Sequence, residues 1–325
     1  MLGYPLGDVA AILILQIVMV LLLKAVAEHF SLPVAVGAAI AYIGVMAVLH
    51  FCTTPYYIKN RPADTRQEMV TSLGSQPLRA VILTMMFVVS AQSLRCATLS
   101  FYFYDYVDSQ SLAKWLAEWS VTTTQENVCL VGLSAFLVIG AVAQVAGAVL
   151  FSKCLSVRFG KKETFIGCLE LTAFFSLLLY MPQPDDISLM FVLCILKSLA
   201  FAPTIPLLWA MTGDVADHVE QLHHRRATGF CFSRVMLALK TGLGLGGFLG
   251  GVLLIAFGYT LETEGMQTWT AVEGIRWAST IIPALLFTAA LLTLWTYPIT
   301  KSYGERIQAE LTERRNNVYN NLFNN

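Results

Sequence analysis

Apolar residues in this chain fall in long, nearly unbroken runs, not in the narrow stripes that a soluble helix or strand presents to its core. Eight runs stand out, near residues 9–29, 32–52, 79–104, 128–151, 163–181, 187–209, 229–257 and 277–297. About 20 helical residues cross the roughly 30 Å hydrocarbon core of a bilayer, so each run predicts a membrane-spanning helix. The first is the weakest, because Lys24, Glu28 and His29 shorten it and Gln16 interrupts it. From Lys301 onward the chain is polar and predicts a tail that frays at its Asn-rich end.

The polar punctuation between runs carries an orientation signal. Lys59, Arg61, Arg66 and Arg79 lie between the second and third runs, and Lys153, Arg158, Lys161 and Lys162 between the fourth and fifth. Arg225, Arg226 and Arg234 follow the sixth, and Lys301, Arg306, Arg314 and Arg315 follow the eighth. The intervening loops hold almost no basic residues. By the positive-inside rule, the basic loops and both termini are expected in the cytoplasm of a multi-pass cell-membrane protein, the inner membrane if the source is bacterial.

Composition narrows the class further. Of 325 residues, 56% are hydrophobic and 13% charged, with mean hydropathy +0.64. A soluble domain carries about 25% charged residues, so this surface is built for lipid. Basic and acidic residues balance at 21 each, which removes the cationic footprint of a nucleic-acid binder. The seven cysteines form no C-x-x-C pair and sit mostly in apolar runs, where cysteine acts as a small hydrophobe. The expected class is all-α and polytopic.

Charges inside spans are costly, about 2.5–3.5 kcal/mol at the bilayer centre. Arg95, Glu170, Lys197 and Lys240 fall there. Each either snorkels or pairs between helices, or faces a watery cavity and binds an ion, a proton or an anionic group. Gly242, Gly246, Gly247, Gly250 and Gly251 have the four-residue spacings that let two helix backbones approach in lipid. The same run fits G-x-G-x-x-G, but no strand precedes it, which argues against a dinucleotide site. Asp214, Asp217, His218, Glu220, His223 and His224 are crowded enough to suggest a metal. Adjacent Arg225 and Arg226 favour local ion pairs or a gate that makes and breaks salt bridges, and no metal site is expected. No nucleophile elbow, H-E-x-x-H or P-loop occurs, so an enzyme is unsupported.

The stretch Gly213-Asp-Val-Ala-Asp-His-Val-Glu-Gln-Leu-His-His-Arg-Arg-Ala-Thr-Gly229, followed by Phe232-Ser233, Lys240 and the glycine run, resembles a signature of the glycoside–pentoside–hexuronide cation symporters. These form the melibiose-permease-like branch of the major facilitator superfamily. Leu94-Arg95 with Tyr102-Phe103, the Arg158-Phe159-Gly160-Lys161-Lys162 loop, Gly274-Ile275-Arg276 and Tyr297-Pro298-Ile299-Thr300 add to the likeness. His218-Val219 and Val235-Met236 depart from the family pattern.

The resemblance implies a partial major-facilitator fold equivalent to the fifth through twelfth helices, with the first four missing. Two N-terminal-bundle helices would occupy 1–60, a central cytoplasmic loop 61–78, a complete C-terminal six-helix bundle 79–300 and a cytoplasmic tail 301–325. It implies secondary transport of sugars, glycosides or related solutes. Lys240, Arg95, Glu170, Gln92 and Tyr102 would line the cation or substrate cavity, and Asp214, Asp217, Arg225, Arg226 and Arg158 would form a cytoplasmic gate. No cofactor is expected beyond the Na+ or H+ that a full-length relative would couple. The family's coupling acids lie mainly on its first four helices and have no counterpart here, which weighs against coupled accumulation by this chain alone. A transport-inactive assembly partner or regulator is the second reading, and an integral-membrane enzyme the third. The expected partners are a small solute, the lipid bilayer, and either a second copy or the missing helices.

Overall fold

A computed structural model of the protein describes residues 75–119, 121, 127–223, 228–260 and 267–323. The expected helices at 9–29 and 32–52 lie outside the described residues. Those residues form ten α-helices and, among them, no strand. Helix α1 (Gln76–Phe101) begins with Pro77 in its first turn, where proline's missing N–H costs nothing. It ends in a π-helical turn, Tyr102–Tyr106. Helix α2 (Ser109–Glu118) starts at Asp108, whose side chain accepts from Ser111 N at 2.8 Å. Helix α3 (Val128–Phe159) meets α4 (Lys161–Leu178) at Gly160, with φ of 98°. That left-handed backbone is open to glycine at little cost, and a Cβ there would meet Glu163 Oε2 at 2.8 Å.

Helices α5 (Ile187–Phe201) and α6 (Thr204–His223) follow. The sequence pattern predicts one helix over 187–209, but the structure breaks it at Ala202–Pro203. Proline removes a backbone donor. The hydroxyl of Thr204 donates to Phe201 O at 2.6 Å and satisfies a carbonyl the break exposes, as a backbone group in lipid requires. Helix α7 (Thr228–Ala256) stops at Gly258, φ 74°. Tyr259 N bonds Leu254 O at 2.9 Å and Gly258 N bonds Ile255 O at 3.0 Å, a Schellman closure.

Helix α8 (Trp269–Arg276) runs through a π-turn, Trp277–Ile281, into α9 (Ile282–Trp295). The span thus begins eight residues before the apolar run predicted from 277, because its first turns are amphipathic. The last element, α10 (Lys301–Phe323), corrects the frayed tail: the Asn-rich end continues the helix to Phe323. Ile307 and Leu311, one turn apart, are buried, and that packing holds a helix whose composition alone would not.

Five segments among the described residues are long and apolar enough to cross a membrane: 76–106, 128–159, 187–222, 228–256 and 269–295. The 18 residues of α4 make a shorter sixth candidate with Lys161, Lys162 and Glu163 in its first turn.

Helix α1 is the hub. It packs most extensively on α7 and next on α9, while α3 packs on α5 and α4 on α9 and α5. Gly242 and Gly246 let α7 close on α1: a Cβ at Gly242 would lie 2.7 Å from Met86 O, and one at Gly246 would strike Ser90 O and lie 2.6 Å from Ser93 Cβ. At Gly250 the added atom would reach Ala97 Cβ at 3.4 Å, an ordinary contact. A second small-residue seam joins α3 to α5, where a Cβ at Gly147 would lie 2.7 Å from Ala202 Cβ. Two buried apolar clusters result. One gathers Val81, Met85, Phe165, Leu208, Val235 and Phe287; the other gathers Leu99, Phe103, Phe136, Phe191, Leu254 and Ile275.

Candidate functional site

Between these clusters runs a layer of positive charge. Arg95 on α1 is 7% exposed and Lys197 on α5 is 2% exposed. The Arg95 guanidinium donates to Cys194 Sγ at 3.9 Å and lies 5.6 Å from the Phe136 ring centre. Cys194 is one turn before Lys197 on the same helix face, so both cations converge on one patch of α5. Lys197 Nζ sits 5.7 Å from the Phe287 ring centre. Ring faces offset about 2 kcal/mol for a desolvated cation, less than the cost of the charge at mid-membrane. One turn before Arg95, Gln92 Oε1 is buried without a hydrogen-bond donor.

The other cavity candidates stand elsewhere. Lys240 is exposed on α7 with Ser233 and Met236, on the face opposite buried Val235, Gly242 and Gly246. It makes no hydrogen bond or ion pair among the described residues. Glu170 shares the exposed face of α4 with Leu171, Phe174 and Leu177, so the structure does not bring it to Arg95 or Lys197. Tyr102 is buried in the π-turn, its hydroxyl 3.9 Å from Met190 Sδ and its ring 5.0 Å from that of Tyr106.

At the α10 end of the bundle, Lys161 at the start of α4 holds both carboxylate oxygens of Asp214 on α6, at 2.6 and 2.8 Å. Lys162 donates to Tyr297 O and Lys301 to Val157 O, each at 2.6 Å. The Tyr297 hydroxyl reaches Met211 O at 3.3 Å, and its burial pushes the phenol well above its ordinary range. These groups line a cavity of about 350 Å³. Asp217 is half-buried on α6, Arg158 stacks on neighbouring Phe159, and Arg225 and Arg226 lie outside the described residues.

The opposite end is tied by Glu273. It accepts from Arg276 Nη1 at 2.9 Å, from Trp277 Nε1 at 3.0 Å and from the Tyr180 hydroxyl. Arg276 also donates to Tyr180 O at 2.7 Å and stacks between the rings of Tyr106 and Tyr180, at 4.8 and 4.2 Å. The carboxylate beside it raises the Tyr180 phenol.

The arrangement is a helix bundle with charged fastenings at both ends and cations at mid-depth, and comparison with known proteins gives its kinship. The description "MFS/sugar transport protein" matches residues 6–301. The chain belongs to this family. Among curated relatives, Escherichia coli YagG, whose name carries the words glycoside/cation symporter, is 30% identical over 55% of this chain and 39% of its own length. The glucuronide carrier protein homolog of Escherichia coli is 28% identical over 55% of this chain and 38% of its own. The Bacillus subtilis symporter YjmB is 26% identical over 95% of this chain and 63% of its own. The chain thus spans less than two thirds of these relatives. The family name and theirs are those of transporters, not enzymes.

Two features escape a reading by motif. Lys161 belongs to the basic loop motif, yet only the fold reveals it as the partner of Asp214, 53 residues away. Glu273 and Tyr180 carry no motif at all; the amphipathic stretch 269–276 is the signal for Glu273, and Tyr180 has none.

Proposed function

We propose that this protein is a secondary transporter that carries sugars, glycosides or related small organic solutes by symport with Na+ or H+. The observation that carries the reading is the family match, which takes in nearly the whole of the chain. The names of its relatives supply the solute class and the word symporter. Transporters of this kind bind solute near the bilayer midplane and rock one bundle against another. In that scheme Arg95 and Gln92 on α1 face the solute. Lys161–Asp214 fastens the cytoplasmic end, where the basic loops and α10 lie.

Reconstitution into liposomes tests the proposal. The 325-residue chain is loaded against labelled glycosides, pentosides and hexuronides, with and without inward sodium or proton gradients. Saturable exchange of one solute is the expected result; gradient-driven accumulation is not expected of this chain alone, and its appearance would name the coupling ion. Solute binding without exchange under any condition would overturn the transport reading.

A further inference from the structure

Arg95 and Lys197 are two buried cations with no carboxylate partner among the described residues. The described ion pairs, Lys161–Asp214, Arg276–Glu273 and Arg306–Glu310, all lie toward the two ends of the bundle. A guanidinium offers five N–H donors in a planar fork, and the described partner of this one is a thiol sulfur, a weak acceptor, at 3.9 Å. Lys197 has a ring face and, among the described residues, no acceptor. One turn before Arg95 on α1, Gln92 Oε1 is an acceptor with no donor. Among the described residues the layer therefore has unused donors carrying positive charge and one unused neutral acceptor, with Phe136 of one apolar cluster and Phe287 of the other against the two cations.

We propose that this layer binds a small hydroxylated oxyanion, a carboxylate or sulfonate, between α1 and α5. Its acidic group takes the fork of Arg95 and the ammonium of Lys197, and one hydroxyl donates to Gln92 Oε1. A flat carboxylate matches the guanidinium fork with two parallel bonds. A neutral sugar leaves both charges unanswered, so the layer selects by charge, as a site with buried polar groups rejects a ligand that lacks their partners. The same charges repel a free coupling cation, which places any such ion away from α1 and α5. The shared chemistry is that of a monovalent anion, whose source is either the solute's own acidic group or an inorganic ion such as chloride. The first source rests on the transporter reading, whereas binding itself does not.

Thermal unfolding of the purified full chain in low-salt zwitterionic buffer tests the site. Sodium glucuronate, sodium chloride and glucose are titrated separately, with potassium salts as a check on the cation. A ligand that binds only the folded state raises the midpoint in a saturable way. Stabilisation by glucuronate but not glucose is the expected result. It should weaken at least about tenfold in apparent affinity in Lys197→Met and Arg95→Gln, since each removes a charged hydrogen-bond donor, and persist in Lys197→Arg. An equal response to chloride would assign the site to inorganic anion and keep it. The absence of any saturable anion effect in the unmutated chain overturns the proposal, as does an undiminished effect in both charge-removing variants. Should those variants fail to fold, the contrast between glucuronate and glucose in the unmutated chain and in Lys197→Arg decides the matter. Solute exchange that fails while anion binding holds would sink the transporter reading and leave this site standing.

Discussion

The ammonium of Lys161 lies 2.6 Å from one oxygen of Asp214 and 2.8 Å from the other, joining the first turn of α4 to the middle of α6. Its two members are unequally buried, with side-chain exposures of 38% and 13%. Removing the lysine strands a carboxylate that is mostly out of water, whereas neutralising the aspartate frees a lysine that can reach solvent. Lys161→Met should therefore lower stability by about 1 kcal/mol or somewhat more, and Asp214→Asn by less. Thermal unfolding in detergent measures both, and equal losses would contradict this asymmetry.

The α1–α7 seam predicts a sharp contrast between neighbouring glycines. Gly246→Ala drives a methyl into Ser90 O and Ser93 Cβ, backbone and short side chain that cannot swing away. Overpacking of this kind costs about 1–3 kcal/mol. Gly250→Ala places its methyl at 3.4–3.5 Å from its neighbours, ordinary contact, and should be neutral or mildly stabilising. Monodisperse yield and unfolding temperature of the two variants should separate clearly.

Asp108 gives the opposite end an acid-sensitive cap. Its hydrogen bonds to Ser111 hold the carboxyl below its usual range. A depressed folded pKa contributes stability that is complete above the ordinary aspartate value of about 3.9 and is lost as pH falls through the folded value. Asp108→Asn should keep the cap and lose this acid dependence; Asp108→Ala should cost about 1 kcal/mol at neutral pH. Fluorescence of Trp115, stacked 4.3 Å from Phe191, reports the state of α2.

Glu273 collects three donors from one tyrosine, one arginine and one tryptophan. Glu273→Gln leaves Arg276 charged and partly buried without its anion, and should destabilise by about 1–3 kcal/mol. Arg276→Lys should also weaken the joint, because an ammonium cannot both bond Tyr180 O and stack flat between Tyr106 and Tyr180. A Glu273→Gln protein that melts like the parent would show that the cluster is not a fastening.

Single cysteines placed on a cysteine-free background test orientation. Gln308→Cys on α10 should react with an impermeant maleimide only from the cytoplasmic face, and Lys114→Cys on α2 only from the opposite face; both positions are exposed. Labelling of Lys114→Cys from the cytoplasm would reverse the bundle.

Hydrophobic runs alone located the spans of α1, α3, α4 and α7 to within a few residues at most ends, because lipid demands a fixed length of apolar helix whatever it packs against. They could not show that 187–209 breaks at Pro203, since a proline in lipid kinks a helix or passes unnoticed according to what satisfies the freed carbonyl, here Thr204. Nor could they find α2 or the end of α10, short or polar helices held by packing of Leu112, Leu116, Ile307 and Leu311. The costly charges were equally plain in the sequence, but their partners were not. Arg95 and Lys197 are 102 residues apart in the chain and share one patch of α5, while Glu170 and Lys240 turn to exposed faces. Periodicity fixes which face of a helix a residue occupies. Only tertiary packing decides what that face meets, because the partner's identity depends on crossing points set by Gly242, Gly246 and Gly147 rather than on any local spacing.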